Sequence, residues 1–170
     1  WHIDGYDKLK PYGLCIDACI DGFSRKIIWC DVSYTNKNPK LILSYYLKAV
    51  SAAGGCPRRI RADPGTENGH VEQIQTFLRR DHADHLAGNN SFLYGSSVTN
   101  QRIGAWWGFF RKHCAQYWMT ILQELKDEGH FGGFFLDKNV MQFCCMKLVQ
   151  VIISASYNTM SNVWWLHINN

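Results

Sequence analysis

No stretch of this 170-residue chain approaches the 18 or more apolar residues that a membrane-spanning helix needs. The longest candidate, Leu148 to Ile153, is interrupted by Gln150. No CxxC pair occurs, and the seven cysteines (15, 19, 30, 56, 114, 144 and 145) are odd in number and scattered. That argues against a disulfide framework and for a reducing, intracellular compartment, with most thiols acting as small core residues. His82 and His85 lack a cysteine at zinc-binding spacing, so no zinc site is expected. There is no signal peptide and no initiator Met at Trp1, which reads as an excised domain. Charge is also sparse. Asp, Glu, Lys and Arg supply 19% of residues, below the usual quarter, so a partner is expected to cover part of a weakly charged surface.

What is present is apolar and aromatic. Hydrophobic residues make up 46% and aromatics 14%, with seven Trp, which excludes wholesale disorder and suits one domain with a real core. A formal charge of +4 is compatible with a nucleic-acid partner without being diagnostic of one.

Residues Trp1 to Tyr6 alternate as a short strand. Leu14 to Ile20 forms a second, and the Asp21-Gly22-Phe23-Ser24 turn leads to a third over Lys26 to Val32. Asn38 caps a helix from Pro39 to about Ala53, stopped by Gly54-Gly55, with Leu41, Tyr45, Leu47 and Val50 inward. A fourth strand precedes Asp63, which Pro64 keeps extended, and a helix capped by Thr66 or Asn68 runs to about Arg80. Residues 82–97 have a loop composition, with an apolar knot at Phe92-Leu93-Tyr94 and at most a weak fifth strand near His85 to Ala87. A long helix is predicted from Thr99 to Asp127, its inward stripe being Ile103, Trp107, Phe110, Cys114, Tyr117, Ile121 and Leu125. A last helix covers Lys138 to about Tyr157. Val140, Cys144, Leu148, Ile152 and Ala155 form its main stripe, widened by Met141, Cys145 and Val149. Three antiparallel strands, then a strand reached through a helical crossover, describe an α/β fold. It has a mixed sheet, helices on both faces and a long helical C-terminal region, in the element order of the ribonuclease H-like fold.

Two acids stand out by position. Asp4 lies in the first strand and Asp63 at the tip of the fourth, its expected neighbour. Paired carboxylates on a rigid sheet are hard oxygen ligands for Mg²⁺ or Mn²⁺, and such ions serve phosphodiester chemistry. By spacing alone the simpler reading is that Asp4 ends a strand and Asp63 opens a Pro-Gly turn.

The residues around them carry more. Trp1-His2-Ile3-Asp4-Gly5-Tyr6-Asp7-Lys8-Leu9 opens the chain, and Ile20-Asp21-Gly22-Phe23-Ser24-Arg25-Lys26-Ile27-Ile28-Trp29 follows. Gly55 to Asp63 comes next with Gly65-Thr66-Glu67-Asn68, then Asn100-Gln101-Arg102-Ile103 with Trp106-Trp107-Gly108. In this order the four blocks resemble the integrase core (catalytic) domain of eukaryotic transposon-derived proteins, which is similar to retroviral integrases and Asp-Asp-Glu transposases. The resemblance covers residues 1–158 as one core domain and leaves 159–170 as a C-terminal tail. It implies a polynucleotidyl transferase that binds DNA and performs Mg²⁺- or Mn²⁺-dependent strand cleavage and strand transfer, with Asp4 and Asp63 as catalytic metal ligands. It also implies a nuclear setting, a possible homodimer, and neither a membrane nor a small-molecule substrate.

The family's third carboxylate is a Glu directly after the Asn-Gln-Arg-Ile segment, and here that position is Gly104. No acid lies one turn away in either direction, and Glu124 is roughly 30 Å farther along the helix at about 1.5 Å per residue. Glu67 follows Asp63 closely, but a helix N-terminus is its simpler role. Catalysis is therefore expected to be impaired by several orders of magnitude. The alternative is an inactive, domesticated DNA-binding or oligomerisation module. Pro64 is a second departure, replacing an expected basic residue. Arg61, Arg102, Arg111 and Lys112 are the candidate phosphate contacts. Trp107 is expected in the core and Trp106 at a dimer interface.

Overall fold

The computed structural model describes residues 1–95 and 100–169, with side chains as far as Ala155. Five strands, β1 (His2–Tyr6), β2 (Cys15–Ile20), β3 (Ile27–Ser33), β4 (Ile60–Ala62) and β5 (Phe92–Tyr94), form one sheet in the order β3-β2-β1-β4-β5. The β1/β2 and β2/β3 pairs are antiparallel, while β1/β4 and β4/β5 are parallel. The sheet is thus mixed, and β1 sits at its centre where the two patterns meet.

The fifth strand lies at the apolar knot, not at His85 to Ala87. The earlier segment folds on itself instead, because the Asp84 carboxylate accepts from the Arg79 guanidinium and from the Leu86 amide. Phe92 and Tyr94 hold adjacent ring positions 5.0 Å apart, which suits a half-buried strand.

Helix α1 (Pro39–Ala53) has the expected ends. The Asn38 side chain accepts from the Lys40 amide, and Gly54 closes the helix at φ 69°, a conformation glycine adopts without a Cβ penalty. Its buried side chains are Ile42, Tyr45 and Tyr46, so the inward face is rotated from the expected Leu41/Leu47 stripe toward the two tyrosines. A 3₁₀ turn (Thr66–Asn68) precedes α2 (Gly69–Leu78). Neither Thr66 nor Asn68 caps α2 with its side chain; the buried Asn68 donates Nδ2–H to the Asp63 carbonyl, 3.1 Å away.

The long helix is observed from Gln101, and the expected start at Thr99 lies outside the described residues. It comprises α3 (Gln101–Phe110), a π-helical segment (Arg111–Ala115) and α4 (Gln116–Asp127). The π segment carries one extra residue into the turn, so the inward face advances by one position beyond it. Ile103, Trp107, Phe110 and Cys114 are buried as the period predicts, but afterwards Trp118 and Leu122 are inward and Tyr117 is 64% exposed. Helix α5 (Phe135–Asn169) starts earlier and runs farther than expected. Met141, Val149 and Ile153 are its buried positions, whereas Val140 and Leu148 of the predicted main stripe are exposed. The side chains of Tyr157 to Thr159 lie outside the described residues.

Two cores result. One packs β1–β3 against α3, α4 and α5; the other packs the opposite sheet face against α1 and α2. Ile103 is fully buried in the first core. Ile103→Ala is expected to cost about 2–5 kcal/mol in denaturant unfolding, because α3 cannot collapse onto the sheet to fill the space.

Candidate active site

Alternation along β1 assigns Asp4 and Tyr6 to the α3 side of the sheet, and Ile3 and Gly5 to the α1 side. In the parallel β1/β4 pair Arg61 stands opposite His2 and Ala62 opposite Ile3. Asp63 is the next residue, so it emerges beside Asp4 at the end of the shared ladder. Both carboxylates border a cavity of about 250 Å³ with Asp7, Asp17, Glu67 and Lys37. Gly5 lies in its floor, where a Cβ would come within 2.4 Å of Asn36 Nδ2, so no larger residue allows that approach.

Asp4 is held at both oxygens. The Gly5 amide donates to Oδ1 at 2.8 Å, and the Trp107 indole N–H donates to Oδ2 at 3.0 Å. Burial pushes the Asp4 carboxyl up to about 6; the Trp107 bond opposes that rise and the charge of Asp63 adds to it. Behind it, burial drives the Asp17 carboxyl well above the usual carboxylate range, although the Trp29 indole N–H donates to it at 2.7 Å. Glu67 is not a simple helix-end charge. It lines the cavity and accepts from Lys37 Nζ at 2.7 Å, and this bond to Glu67 raises the Lys37 pKa.

Helix α3 is fastened along β1 by two side chains that bracket Gly104. The Asn100 amide bonds the His2 ring at 2.8 Å and donates to the Ile3 carbonyl at 3.1 Å; Trp107 bonds Asp4. Positions 100, 104 and 107 share one helical face, so position 104 faces the site's edge. It is exposed, and a Cβ built there meets nothing within 4 Å.

Among the described residues, no group of three or more His, Cys, Asp or Glu side chains is placed to hold a metal ion. Two buried oxygens bordering the cavity, Asp63 Oδ1 and Asn36 Oδ1, have no hydrogen-bond partner. With the Asp4 carboxylate, these are oxygen donors of the kind a hard cation such as Mg²⁺ or Mn²⁺ takes.

Of the candidate basic residues, Arg61 and Arg102 come together, lining a second cavity with Trp1, His2, Arg59 and Gln101. Arg111 and Lys112 do not join them. Both are exposed on the π segment, where Arg111 Nε donates to Gln116 Oε1 at 3.4 Å. Trp106 is fully buried, so it packs in the core and is not available to a dimer interface.

Trp107 is placed on the core stripe by the helical period, which says nothing of a bond to Asp4. Its place one turn after position 104, on the same helical face, was the available signal for a role beside Asp4. Asn36 and Lys37 gave no such signal, because they reach the cavity from a loop whose path the sequence does not specify. Trp107→Phe is expected to keep most of the packing and raise the Asp4 pKa further above 6, because the lost bond favours the ionised carboxylate. Carbon-detected NMR titration of the carboxyl measures this; an unchanged value would remove Trp107 from the site.

Comparison with curated proteins and with solved structures returned no match. The profile described as integrase core domain matches residues 1–168, nearly the full length. With the mixed five-stranded sheet and helices on both faces, that match establishes an α/β, ribonuclease H-like chain of integrase/transposase type, and the protein belongs to the integrase core domain family.

Proposed function

We propose that this domain binds DNA and is built for metal-dependent strand cleavage and strand transfer, with catalysis strongly impaired because Gly104 stands where the third carboxylate belongs. The observation that carries the reading is the juxtaposition of Asp4 and Asp63 at the end of one parallel strand pair, with Gly104 on the α3 face that docks there. Asp4 and Asp63 would hold one divalent ion, with Asn36 Oδ1 near enough to border it. Such an ion, when bound, stabilises charge building on phosphoryl oxygens. The chain's own part is to fix Asp4 through Gly5 and Trp107, to place Asp63 through Asn68, and to leave a cleft open to a phosphodiester.

The proposed unit is a core over residues 1–158 with 159–170 as its C-terminal tail, in the nuclear setting that a DNA substrate implies. No helix among the described residues is long and apolar enough to cross a membrane. Self-association belongs to the same proposal, supported by apolar side chains of α5 left open to solvent, Phe135 at 84% and Phe143 at 89% exposed. The second reading, an inactive DNA-binding or oligomerisation module, is favoured by Gly104 itself.

Mn²⁺ titration followed by water-proton relaxation tests the site directly. Weak binding to one site is expected, abolished by Asp63→Asn, with DNA strand cleavage at or near background. No binding, or binding indifferent to Asp63→Asn, would sink the metal-site reading and leave the inactive module.

A further inference from the structure

The sheet register sets a basic rung next to the acidic one. Arg59, Arg61 and Asp63 occupy alternate positions along the β4 segment, so their side chains share one face of the sheet. Arg61 is paired with His2 just as Asp63 stands beside Asp4, which separates the two rungs by about 6.6 Å along the strands. Helix α3 supplies Arg102 at the same end, because Asn100 ties its first turn to His2 and Ile3. Arg59, Arg61 and Arg102 line one groove of about 440 Å³ with His2 and Gln101, and it shares no lining residue with the acidic cavity.

These guanidiniums are not neutralised. Among the described residues, none of the three lies within ion-pair distance of a carboxylate, whereas Arg79 and Arg80 are paired with Asp84 and Asp81. A fourth cation adjoins them. Arg25 donates to the Gly22 carbonyl, and its pKa is lowered by burial first and by the charge of Arg102 second. Like charges gathered in one groove with no protein counter-ion repel one another until an anion enters. Planar guanidinium forks suit a phosphate in particular, since two parallel N–H donors match two of its oxygens.

We propose that this groove is a clamp for the phosphodiester backbone of a nucleic-acid strand, in which Arg61 and Arg102 grip a phosphate one sheet rung from Asp4 and Asp63. Arg59 engages the phosphate beyond it, and the exposed Gln101 amide offers a neutral donor. The inference rests on the DNA-binding reading above and adds where, and in which direction, the backbone runs. The strand follows β4 from Arg59 to Asp63, so the phosphate after the gripped one arrives at the acid pair. The exposed cations of the π segment, Arg111 and Lys112, are outside the clamp.

The test is fluorescence anisotropy of the full chain with a labelled DNA duplex, repeated across a salt series without divalent ions. The Arg61→Gln/Arg102→Gln variant is expected to bind roughly tenfold or more weakly. Its slope of log affinity against log salt should be shallower by about 1.8, the value for two lost phosphate contacts on a duplex. The charge-matched Arg111→Gln/Lys112→Gln variant is expected to bind within about twofold of the parent with an unchanged slope. Arg102→Lys, which keeps the charge and loses the fork, is expected to retain the slope while weakening binding. Equal losses in the two double variants would overturn the clamp in favour of diffuse attraction, and so would an unchanged Arg61→Gln/Arg102→Gln variant. If the parent chain itself shows no salt-dependent binding, the DNA reading fails and takes the clamp with it.

Discussion

Replacing Gly104 by Glu is expected to raise Mg²⁺- or Mn²⁺-dependent DNA strand cleavage and strand transfer by roughly 10³-fold or more. The magnitude follows from what one electrostatic group contributes when it acts directly on a reacting phosphoryl centre. The geometry permits the change. Nothing lies within 4 Å of a Cβ at position 104, and the position is exposed, so the longer side chain enters without displacing Trp107 or Asn100. The helix gains as well, since glycine in a helix interior is about 0.5–1 kcal/mol less favourable than a good helix former. A variant that is both more active and slightly more stable would show that position 104 lacks a ligand and serves no packing purpose. If the parent chain already cleaves as fast as the variant, another group completes the site, and Glu67 released from Lys37 becomes the first candidate. If both are inactive while DNA binding persists, the domain is a binding module.

The second large effect concerns Asp4 and pH. Its folded pKa of about 6 lies above the ordinary value of 3.8. Between these two values the folded state holds the proton more tightly than the unfolded one. The associated stability is therefore present in full below about pH 4 and is lost as pH rises through about 6. The shift corresponds to roughly 2–3 kcal/mol. Asp4→Asn removes the ionisation and also weakens one of the two hydrogen bonds, from Gly5 or Trp107, at a cost of about 1 kcal/mol that does not vary with pH. Measured without divalent ions, the variant's stability relative to the parent should improve by roughly 2–3 kcal/mol between pH 4 and pH 8. For a chain of this size that is roughly 5–10 °C in Tm. Chemical denaturation at the two pH values reads the difference directly. A difference that stays constant with pH would mean that Asp4 titrates as an ordinary exposed carboxylate, and its place in a desolvated site would have to be abandoned.

Both predictions depend on α3 lying along β1, and the sequence was informative about that helix only as far as its period stayed regular. Ile103, Trp107, Phe110 and Cys114 recur at helical spacing and are buried. Past Cys114 the π segment shifts the phase by one residue, so Trp118 and Leu122 replace Tyr117 and Ile121 on the inner face. No residue in Arg111–Ala115 announces that insertion, because a π turn is chosen by the packing of the helix on both sides of it and not by local propensity. The fifth strand shows the same limit. Three residues in a loop-like stretch become a strand only because β4 offers them a parallel partner.

The sequence by itself determined the order of the first four strands with the helices α1 and α2 between and after them, and the ends of α1. These follow from local chemistry: alternation, a capping Asn and a terminating Gly. Tertiary structure alone decided that Trp107 bonds Asp4, that Lys37 neutralises Glu67, and that Arg61 and Arg102 share a groove without Arg111 and Lys112. Each of those outcomes joins residues far apart in the chain. It depends on strand register and on how one helix face settles against a sheet, where burial and charge act on whatever the fold has brought together.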